Sequence, residues 1–193
     1  MKPRHLSPIL LGCFLFASPL LHPSTKVSTL SPNSDSQNPP AKTQPCLSPE
    51  YHYFDFWIGE WDVQDPAGKP VGHNSVTREQ DGCLLVEHWK STVGNNTGTS
   101  FNYYDLHDKK WHQLYLDNSG NAGNYPPMSG TLTDGKMVML TDPAVSPVSR
   151  WTWYVVSPGK VRQMAEQSTD HQKTWSTTWD SIYVISGASP ASN

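Results

Sequence analysis

The chain lacks the sequence motifs by which most enzyme and metal-binding classes are recognised. HExxH, CxxC, GxSxG and EF-hand patterns are missing, and no Gly-rich phosphate loop follows a predicted strand. We therefore expect no cofactor and no metal. An excess of positive charge is missing too, because 14 Lys and Arg stand against 17 Asp and Glu. Since nucleic acid binds to a basic surface, we expect no nucleic-acid partner.

Long hydrophobic runs are also missing. The longest apolar run, residues 9–21, is broken by a glycine, a serine and a proline, so it is too short for a membrane span. Two basic residues precede it, as in export signals. We therefore predict a signal peptide over residues 1–22 and a periplasmic or extracellular location.

Lipidation is the alternative to simple cleavage. The sequence Leu10-Leu11-Gly12-Cys13 resembles the lipobox of bacterial lipoproteins, in which Cys13 would carry the lipid. The apolar run before Cys13 is only a few residues long and continues past it, which favours cleavage. A membrane is therefore expected as a partner only through this anchor.

Cysteine is scarce, with three residues in the chain. Cys13 leaves with a cleaved signal peptide, so Cys46 and Cys83 remain as a lone pair in an oxidising compartment. This predicts a disulfide between them. The bond would tie the segment before the domain to the start of the third predicted strand.

Composition divides the rest of the chain. Residues 23–45 are rich in Pro and Ser and contain no aromatic residue, so they are predicted to be a disordered linker. Aromatic residues become frequent from Tyr51 onward. We predict one folded domain over residues 46–185, followed by a flexible tail over residues 186–193.

Sustained helical periodicity is missing from this domain. Short aromatic or β-branched runs alternate instead with turn signals such as Asp81-Gly82 and Asp134-Gly135. An open sheet of about ten such strands would leave long free edges, which closure removes. We therefore predict an all-β, antiparallel up-and-down barrel. The predicted strands are 54–64, 70–80, 83–92, 99–105, 110–117, 128–133, 136–141, 149–156, 160–167 and 174–185.

The first of these runs, FDFWIGEWDV at residues 54–63, is the most informative stretch. In an extended chain Phe54, Phe56 and Ile58 would point to one side and Trp57, Trp61 and Val63 to the other. Both faces would then be apolar, as in the first strand of a closed barrel. The glycine inside the run would supply a bend or a close approach of two strands.

A structural turn is predicted near the end of the domain. Ser168, Asp170 and Trp175 have the spacing of an Asp-box, with Gln172 where that motif has glycine. In such a box the Asp side chain accepts hydrogen bonds from turn amides and the Trp packs beneath. We assign it no chemistry.

Several blocks together resemble a known group. FDFWIGEWDV, PAGKPVGHN (66–74), DGCLLVEHW (81–89), SFNYYD (100–105) and the segment from Gln163 to Trp175 resemble a family of exported bacterial proteins of the FDFWxGxW type. The resemblance implies a lipocalin-like, calycin-type barrel over residues 46–185 and no established reaction. A more distant likeness in shape is to nitrobindin, a haem-binding barrel. A C-terminal histidine for haem is not evident, because His171 falls in a predicted turn.

Strand alternation suggests which polar side chains share a face with core residues. Leu85, Glu87 and Trp89 share one face of the third strand, and Arg162, Met164 and Glu166 share one face of the ninth. If those faces point inward, Glu87, Arg162 and Glu166 line a cavity. If the opposite faces point inward, the three are solvated surface charges, and alternation alone leaves both arrangements open.

Aromatic residues supply the other candidate ligand contacts. Some of them are expected to plug one end of the barrel, and the remainder could form a flat-sided pocket. The candidates are Trp57, Trp61, Trp89, Tyr103 and Tyr115. The histidines at 73, 88, 107 and 112 show no pairing on one strand face, so each is expected to be a surface or hydrogen-bonded residue.

Three classes of function follow from this sequence. The leading hypothesis is an exported barrel that binds a small, largely apolar or aromatic ligand, with Glu87, Arg162 and Glu166 orienting its polar end. A second is an isomerase- or lyase-type enzyme that uses Glu87 and Glu166 as acid and base. A third is a tethered protein-interaction module, which an exposed aromatic patch would favour. The sequence predicts no oligomeric state.

Overall fold

The structure is a computed structural model, and it describes residues 46–120 and 127–187. The predicted signal peptide (1–22), the lipidation candidate Cys13, the linker (23–45) and all but the first two residues of the tail lie outside the described residues. None of the described helices has the length and apolar character needed to cross a membrane.

The described residues form a closed barrel of ten antiparallel strands. Each strand pairs with the next one in the chain, and β10 pairs back with β1. The predicted all-β up-and-down barrel is therefore confirmed. The strands are β1 (Gly59–Gln64), β2 (Pro70–Glu79), β3 (Leu84–Ser91), β4 (Thr97–Asp105), β5 (Lys110–Asp117), β6 (Met128–Thr133), β7 (Lys136–Leu140), β8 (Val148–Ser157), β9 (Lys160–Ser168) and β10 (Ser176–Ile185).

Local turn chemistry explains how neighbouring strands pair. Between β6 and β7, Asp134 and Gly135 have φ angles of 50° and 74°. A two-residue loop with positive φ at both positions matches the twist of the strands it joins. The short 3-10 helix Gln80–Gly82 makes the corresponding connection between β2 and β3.

The predicted start of the first strand is wrong. Asp55–Trp57 form a 3-10 helix, preceded by another at Pro49–His52, and β1 begins at Gly59. Because a 3-10 helix has three residues per turn, Phe54 and Trp57 lie on the same side, with ring centroids 4.9 Å apart. Gly59 then turns the chain into β1 with a φ of +148°, which side-chain-bearing residues rarely adopt.

The two 3-10 helices before β1 close one end of the barrel, and we call residues 49–57 the plug. Phe54 and Trp57 are fully buried. The Phe54 ring lies 5.7 Å from Trp111 of β5 and 5.3 Å from Trp153 of β8. Trp57 lies 6.3 Å from Tyr183 of β10. The plug therefore packs against strands from several sides of the barrel, where each aromatic contact adds about 0.5–1.5 kcal/mol beyond area burial.

A disulfide and an arginine fix the plug to the barrel. Cys46 and Cys83 form the predicted disulfide, with Cα atoms 5.1 Å apart. Arg78 of β2 forms an ion pair with Asp55 of the plug and donates a 2.7 Å hydrogen bond to the carbonyl of Gly82. The chain before β1 is thus tied to the β2–β3 connection by a covalent bond and by charge.

We expect the Cys46→Ser/Cys83→Ser double variant to lose about 3–4 kcal/mol of unfolding free energy, because opening a loop of this length raises the entropy of the unfolded chain. Urea denaturation followed by tryptophan fluorescence measures the loss. A thiol reductant should produce the same loss in the native protein and no further loss in the double variant. An unchanged midpoint would show that the packing of the plug alone holds this end closed.

Candidate functional site

A cavity of about 490 Å³ occupies the end of the barrel opposite the plug. The order of residues along the strands shows this arrangement. On β5, Trp111 packs on Phe54 of the plug, whereas Tyr115, further along, lines the cavity. On β10, Tyr183 contacts Trp57 of the plug, and Trp179, nearer the start of the strand, lines the cavity wall. The barrel is therefore filled in one half and hollow in the other.

The cavity walls are mostly aromatic and aliphatic. Trp89 of β3 and Trp179 of β10 meet edge to face, with ring centroids 5.8 Å apart. Trp151 of β8 stacks on Trp153 below it at 5.9 Å. The apolar lining consists of Val71, Trp89, Val93, Met128, Trp151 and Trp179.

Polar groups converge on the cavity from two hydrogen-bonded chains. In the first, Ser100 Oγ donates to Glu87 Oε2 at 2.6 Å and accepts from Asn102 Nδ2 at 2.9 Å. Gln113 Nε2 extends this chain by donating to Asn102 Oδ1 at 2.8 Å. All four residues are buried, so the chain satisfies polar atoms that water cannot reach.

The second chain centres on Gln163 of β9. Its Oε1 accepts hydrogen bonds from Trp179 Nε1 at 2.9 Å and from the Tyr183 hydroxyl at 2.7 Å. Gln163 thereby fixes the orientation of Trp179 in the cavity wall and of Tyr183 at the cavity base. Both glutamines, Gln113 and Gln163, line the cavity together with Glu87 and Tyr183.

Glu87 is the buried carboxyl group of the cavity, with 5% of its surface exposed. Burial raises its pKa to about 7, and the hydrogen bond from Ser100 opposes only part of that rise. The amide of Asn74 also lies close enough to lower the pKa, although it makes no hydrogen bond of good geometry. Burial raises the pKa of Tyr115 to about 12 and that of Tyr183 well above its usual range. Both phenols are therefore neutral near pH 7.

Of the predicted ligand contacts, Glu87, Trp89 and Tyr115 line the cavity. Trp57 and Trp61 lie deeper, in the core against the plug. The indole of Trp61 donates a 2.9 Å hydrogen bond to the carbonyl of Trp57, so these two residues support the cavity base without lining it.

The predicted inward orientation of Arg162 and Glu166 is wrong. The inward face of β9 carries Val161, Gln163 and Ala165, which are buried. Arg162 lies on the outer face and pairs with Asp180 of β10 through bonds of 2.8 and 2.6 Å.

Glu166 also lies on the outer face. It accepts bonds of 3.0 and 2.8 Å from Arg150 of β8, whose guanidinium covers the Trp175 ring at 4.0 Å. The desolvation free energy of a charged group is smaller where water still contacts part of the group. Glu87 and Glu166 are therefore on opposite sides of the barrel wall, and they cannot act as the acid and base of one site.

Tyr103 faces outward as well. Its ring stacks on His112 at 5.3 Å, and it is 38% exposed. With Phe101 and Leu116 it forms an exposed apolar patch on the outer face of β4 and β5. Such a patch favours the interaction-module hypothesis, and nothing in the described residues indicates what would cover it.

Sequence reasoning missed Gln113, Gln163 and Tyr183 as cavity residues. A signal was present on β5, where Trp111, Gln113 and Tyr115 share one face by simple alternation. On β9 the glutamine shares its face with small apolar residues, which is the pattern of an inward face. A glutamine can lie on either face of a strand, because its neutral amide can be buried when it is hydrogen-bonded, so its residue type alone does not mark it as a cavity residue.

One group of possible metal ligands lies outside the cavity. Atoms of Asp105, Asp108 and His112 lie within 4.8 Å of one another on the outer surface. His112 Nε2 already bonds Asp108 at 3.0 Å, and Asp105 bonds His107 at 2.8 Å. We assign this group a structural role in the β4–β5 turn.

The hydrogen bonds predicted for the Asp-box are confirmed. Asp170 Oδ1 accepts hydrogen bonds from the amides of Lys173 and Thr174 at 3.1 and 2.9 Å. These bonds, with that of the Thr174 hydroxyl, lower the pKa of Asp170 to about 2. The box shapes the β9–β10 hairpin and lies away from the cavity lining.

Comparison with known proteins identifies no family. No protein-family model matches the sequence, and no curated protein matches it. Among solved structures, the chain is similar to an S-type phycobiliprotein lyase from Guillardia theta, with 13% sequence identity and a TM-score of 0.45 over 72% of this chain and 93% of that one. The resemblance to exported FDFWxGxW-type proteins stays a prediction.

We expect Glu87 to make the protein less stable as pH rises. Its pKa is about 7 in the folded state against 4.5 for an ordinary glutamate, so the unfolded chain loses this proton first. The free energy of unfolding should fall by about 2–3 kcal/mol between about pH 4.5 and pH 7 and then level off. Glu87→Gln should remove that fall, as denaturation at several pH values would show.

Glu79→Gln is the matched control, because Glu79 is an exposed carboxylate on β2. This variant should keep the pH dependence of the native protein. If Glu87→Gln and the native protein followed the same curve, Glu87 would not be the group that holds a proton inside the barrel.

Proposed function

We propose that this protein binds a small, largely apolar or aromatic molecule inside the barrel. The observation that carries the proposal is the cavity of about 490 Å³, with tryptophan walls and a few converging polar groups. Ligand pockets of about 300–1,000 Å³ with this lining are typical of small-molecule sites. The Cys46–Cys83 disulfide is compatible with the predicted export of the protein.

The aromatic walls are held in place before any ligand arrives. The Trp89 indole donates to Asn96 Oδ1 at 3.1 Å, and the Trp179 indole donates to Gln163 at 2.9 Å. Trp151 is supported by the buried Trp153 beneath it. Side chains already ordered in the free protein lose little entropy on binding, which favours affinity. Flat walls at fixed angles suit a ring-bearing ligand.

The polar base would orient such a ligand. Glu87, Gln113 and Gln163 are the buried polar side chains that line the cavity with Tyr183. A polar end that met these groups would be held by hydrogen bonds, while the rest of the molecule contacted tryptophan. This replaces the predicted orienting set, from which Arg162 and Glu166 are removed by their position on the outer face.

A neutral fluorescent probe tests the proposal directly. N-phenyl-1-naphthylamine should bind saturably at one site, with enhanced emission and energy transfer from the wall tryptophans. Ser91 lines the cavity, so Ser91→Phe would place a ring inside it. We expect this variant to weaken binding at least about tenfold, or by about 1.4 kcal/mol.

Ser176→Phe is the control, since Ser176 is exposed and lies outside the cavity lining. It should bind the probe as the native protein does, and circular dichroism should show both variants folded. Equal binding by the two variants would place the probe elsewhere and remove the cavity from the proposal.

Acid–base catalysis by Glu87 alone is a second candidate function. A carboxyl group with a pKa of about 7 inside a cavity can both give and accept a proton near neutral pH. The candidate needs no second carboxylate.

The catalytic candidate is tested by incubating small-molecule extracts with the native protein and with Glu87→Gln. Mass spectrometry should show a compound consumed only by the native protein, while Glu79→Gln behaves as the native protein does. A conversion that persisted in Glu87→Gln would exclude Glu87 as the acid–base group.

A further inference from the structure

The charge inside the cavity is of one sign. Glu87 lines the cavity, and among the described residues no Lys, Arg or His lines it. The arginines of β8 and β9, Arg150 and Arg162, lie on the outer face in ion pairs with Glu166 and Asp180. The described part of the cavity therefore holds an acidic group with no basic side chain to balance it.

We infer that the ligand carries a positively charged hydrogen-bond donor, such as a protonated amine, which Glu87 binds, and that Glu87 discriminates against carboxylates. This inference rests on the proposed ligand-binding function and narrows it to a class of molecule. Glu87 thereby becomes a specificity-determining residue rather than one of several polar contacts.

The first argument concerns the cost of the buried carboxylate. A buried charge is normally paired, because taking it out of water costs several kcal/mol unless an opposite charge replaces the solvent. Within the part of the chain that the structure describes, the residues that interact with Glu87 are Asn74, Ser100, Tyr115 and Tyr183, all of which are uncharged near pH 7. A cationic ligand would supply the missing partner.

The second argument concerns the aromatic walls. A cation is attracted to the face of an indole ring within about 6 Å of its centroid, and the attraction is larger when water is excluded. Three tryptophans, Trp89, Trp151 and Trp179, line the same cavity as Glu87. An aromatic amine could place its ring among these indoles and its ammonium group at the carboxylate.

The third argument concerns exclusion. A ligand carboxylate at the base would place two negative charges in one poorly solvated space, and like charges at such a distance disfavour each other strongly. One of the two groups would have to be protonated for binding to occur. Hydrophobic acids are therefore expected to bind worse than neutral molecules of the same shape.

Three matched probes test the inference: 2-naphthylmethylamine, 2-naphthalenemethanol and 2-naphthoic acid, each used to displace N-phenyl-1-naphthylamine. At about pH 8, where Glu87 is ionised, we expect the amine to bind at least about tenfold more tightly than the alcohol. The acid should bind most weakly. The three molecules share one ring system, so the ranking reports the charge of the polar end.

The variant Glu87→Gln should abolish the advantage of the amine and improve binding of the acid. The variant Glu166→Gln is the control, because it removes a carboxylate from the outer face of the barrel. It should keep the ranking of the native protein.

A measurement on the native protein alone gives an independent check. Among the described residues, the titratable groups that interact with Glu87 are Tyr115 of β5 and Tyr183 of β10, and both stay neutral below about pH 9, since their pKa values are raised. Lowering the pH from about 8 to about 5.5 should therefore protonate Glu87 and weaken the amine about tenfold while leaving the alcohol unchanged.

The outcomes separate this inference from the proposed function on which it rests. The inference that the cavity selects cationic ligands would be overturned if all three probes displaced N-phenyl-1-naphthylamine with equal affinity, or if the acid bound most tightly. The cavity would still be a binding site in either case. Failure of N-phenyl-1-naphthylamine itself to bind would overturn the proposed function and the inference together.

Discussion

The packing of Phe54 and Trp57 into one end of the barrel is the contact on which the rest of the structure depends. These two rings contact Trp111, Trp153 and Tyr183, so three strands from different parts of the chain converge on them. The closed barrel of ten strands holds this aromatic core and, beside it, a cavity of about 490 Å³. The plug fills one half with a dry aromatic core and leaves the other half hollow. The cavity therefore lies beyond the aromatic core that the plug completes.

Much of the fold could be predicted from the sequence because it rests on local rules. Alternation of apolar residues and glycine-containing turns such as Asp134-Gly135 located the strands, and closure followed from the problem of free edges. The plug could not be predicted in the same way. The segment FDFW has apolar residues on both faces when it is extended, and on one side when it forms a 3-10 turn. Which conformation it adopts therefore depends on the aromatic core against which Phe54 and Trp57 pack.

The candidate site was predicted in part for a related reason. Alternation states which residues share a face, but it does not state which face is inside. On β3, alternation grouped Glu87 with Leu85 and Trp89 without deciding which face is inside, and the structure buries Leu85 and Glu87. On β9 both faces had a plausible apolar member. The deciding contacts, Arg162 with Asp180 and Glu166 with Arg150, join residues on neighbouring strands. They depend on strand register, which the sequence does not reveal.

The distribution of charge across the barrel wall connects the fold to its chemistry. On the outer face, each arginine of β8 and β9 meets a carboxylate, where partial contact with water lowers the cost of both charges. Inside, amide and hydroxyl groups hold one another in two hydrogen-bonded chains, and Glu87 ends one of them. A glutamine at that position would satisfy the same neighbours without the penalty of ionisation near neutral pH. A carboxyl group that costs stability at the base of the cavity is the group that the proposed binding of a cationic ligand would use.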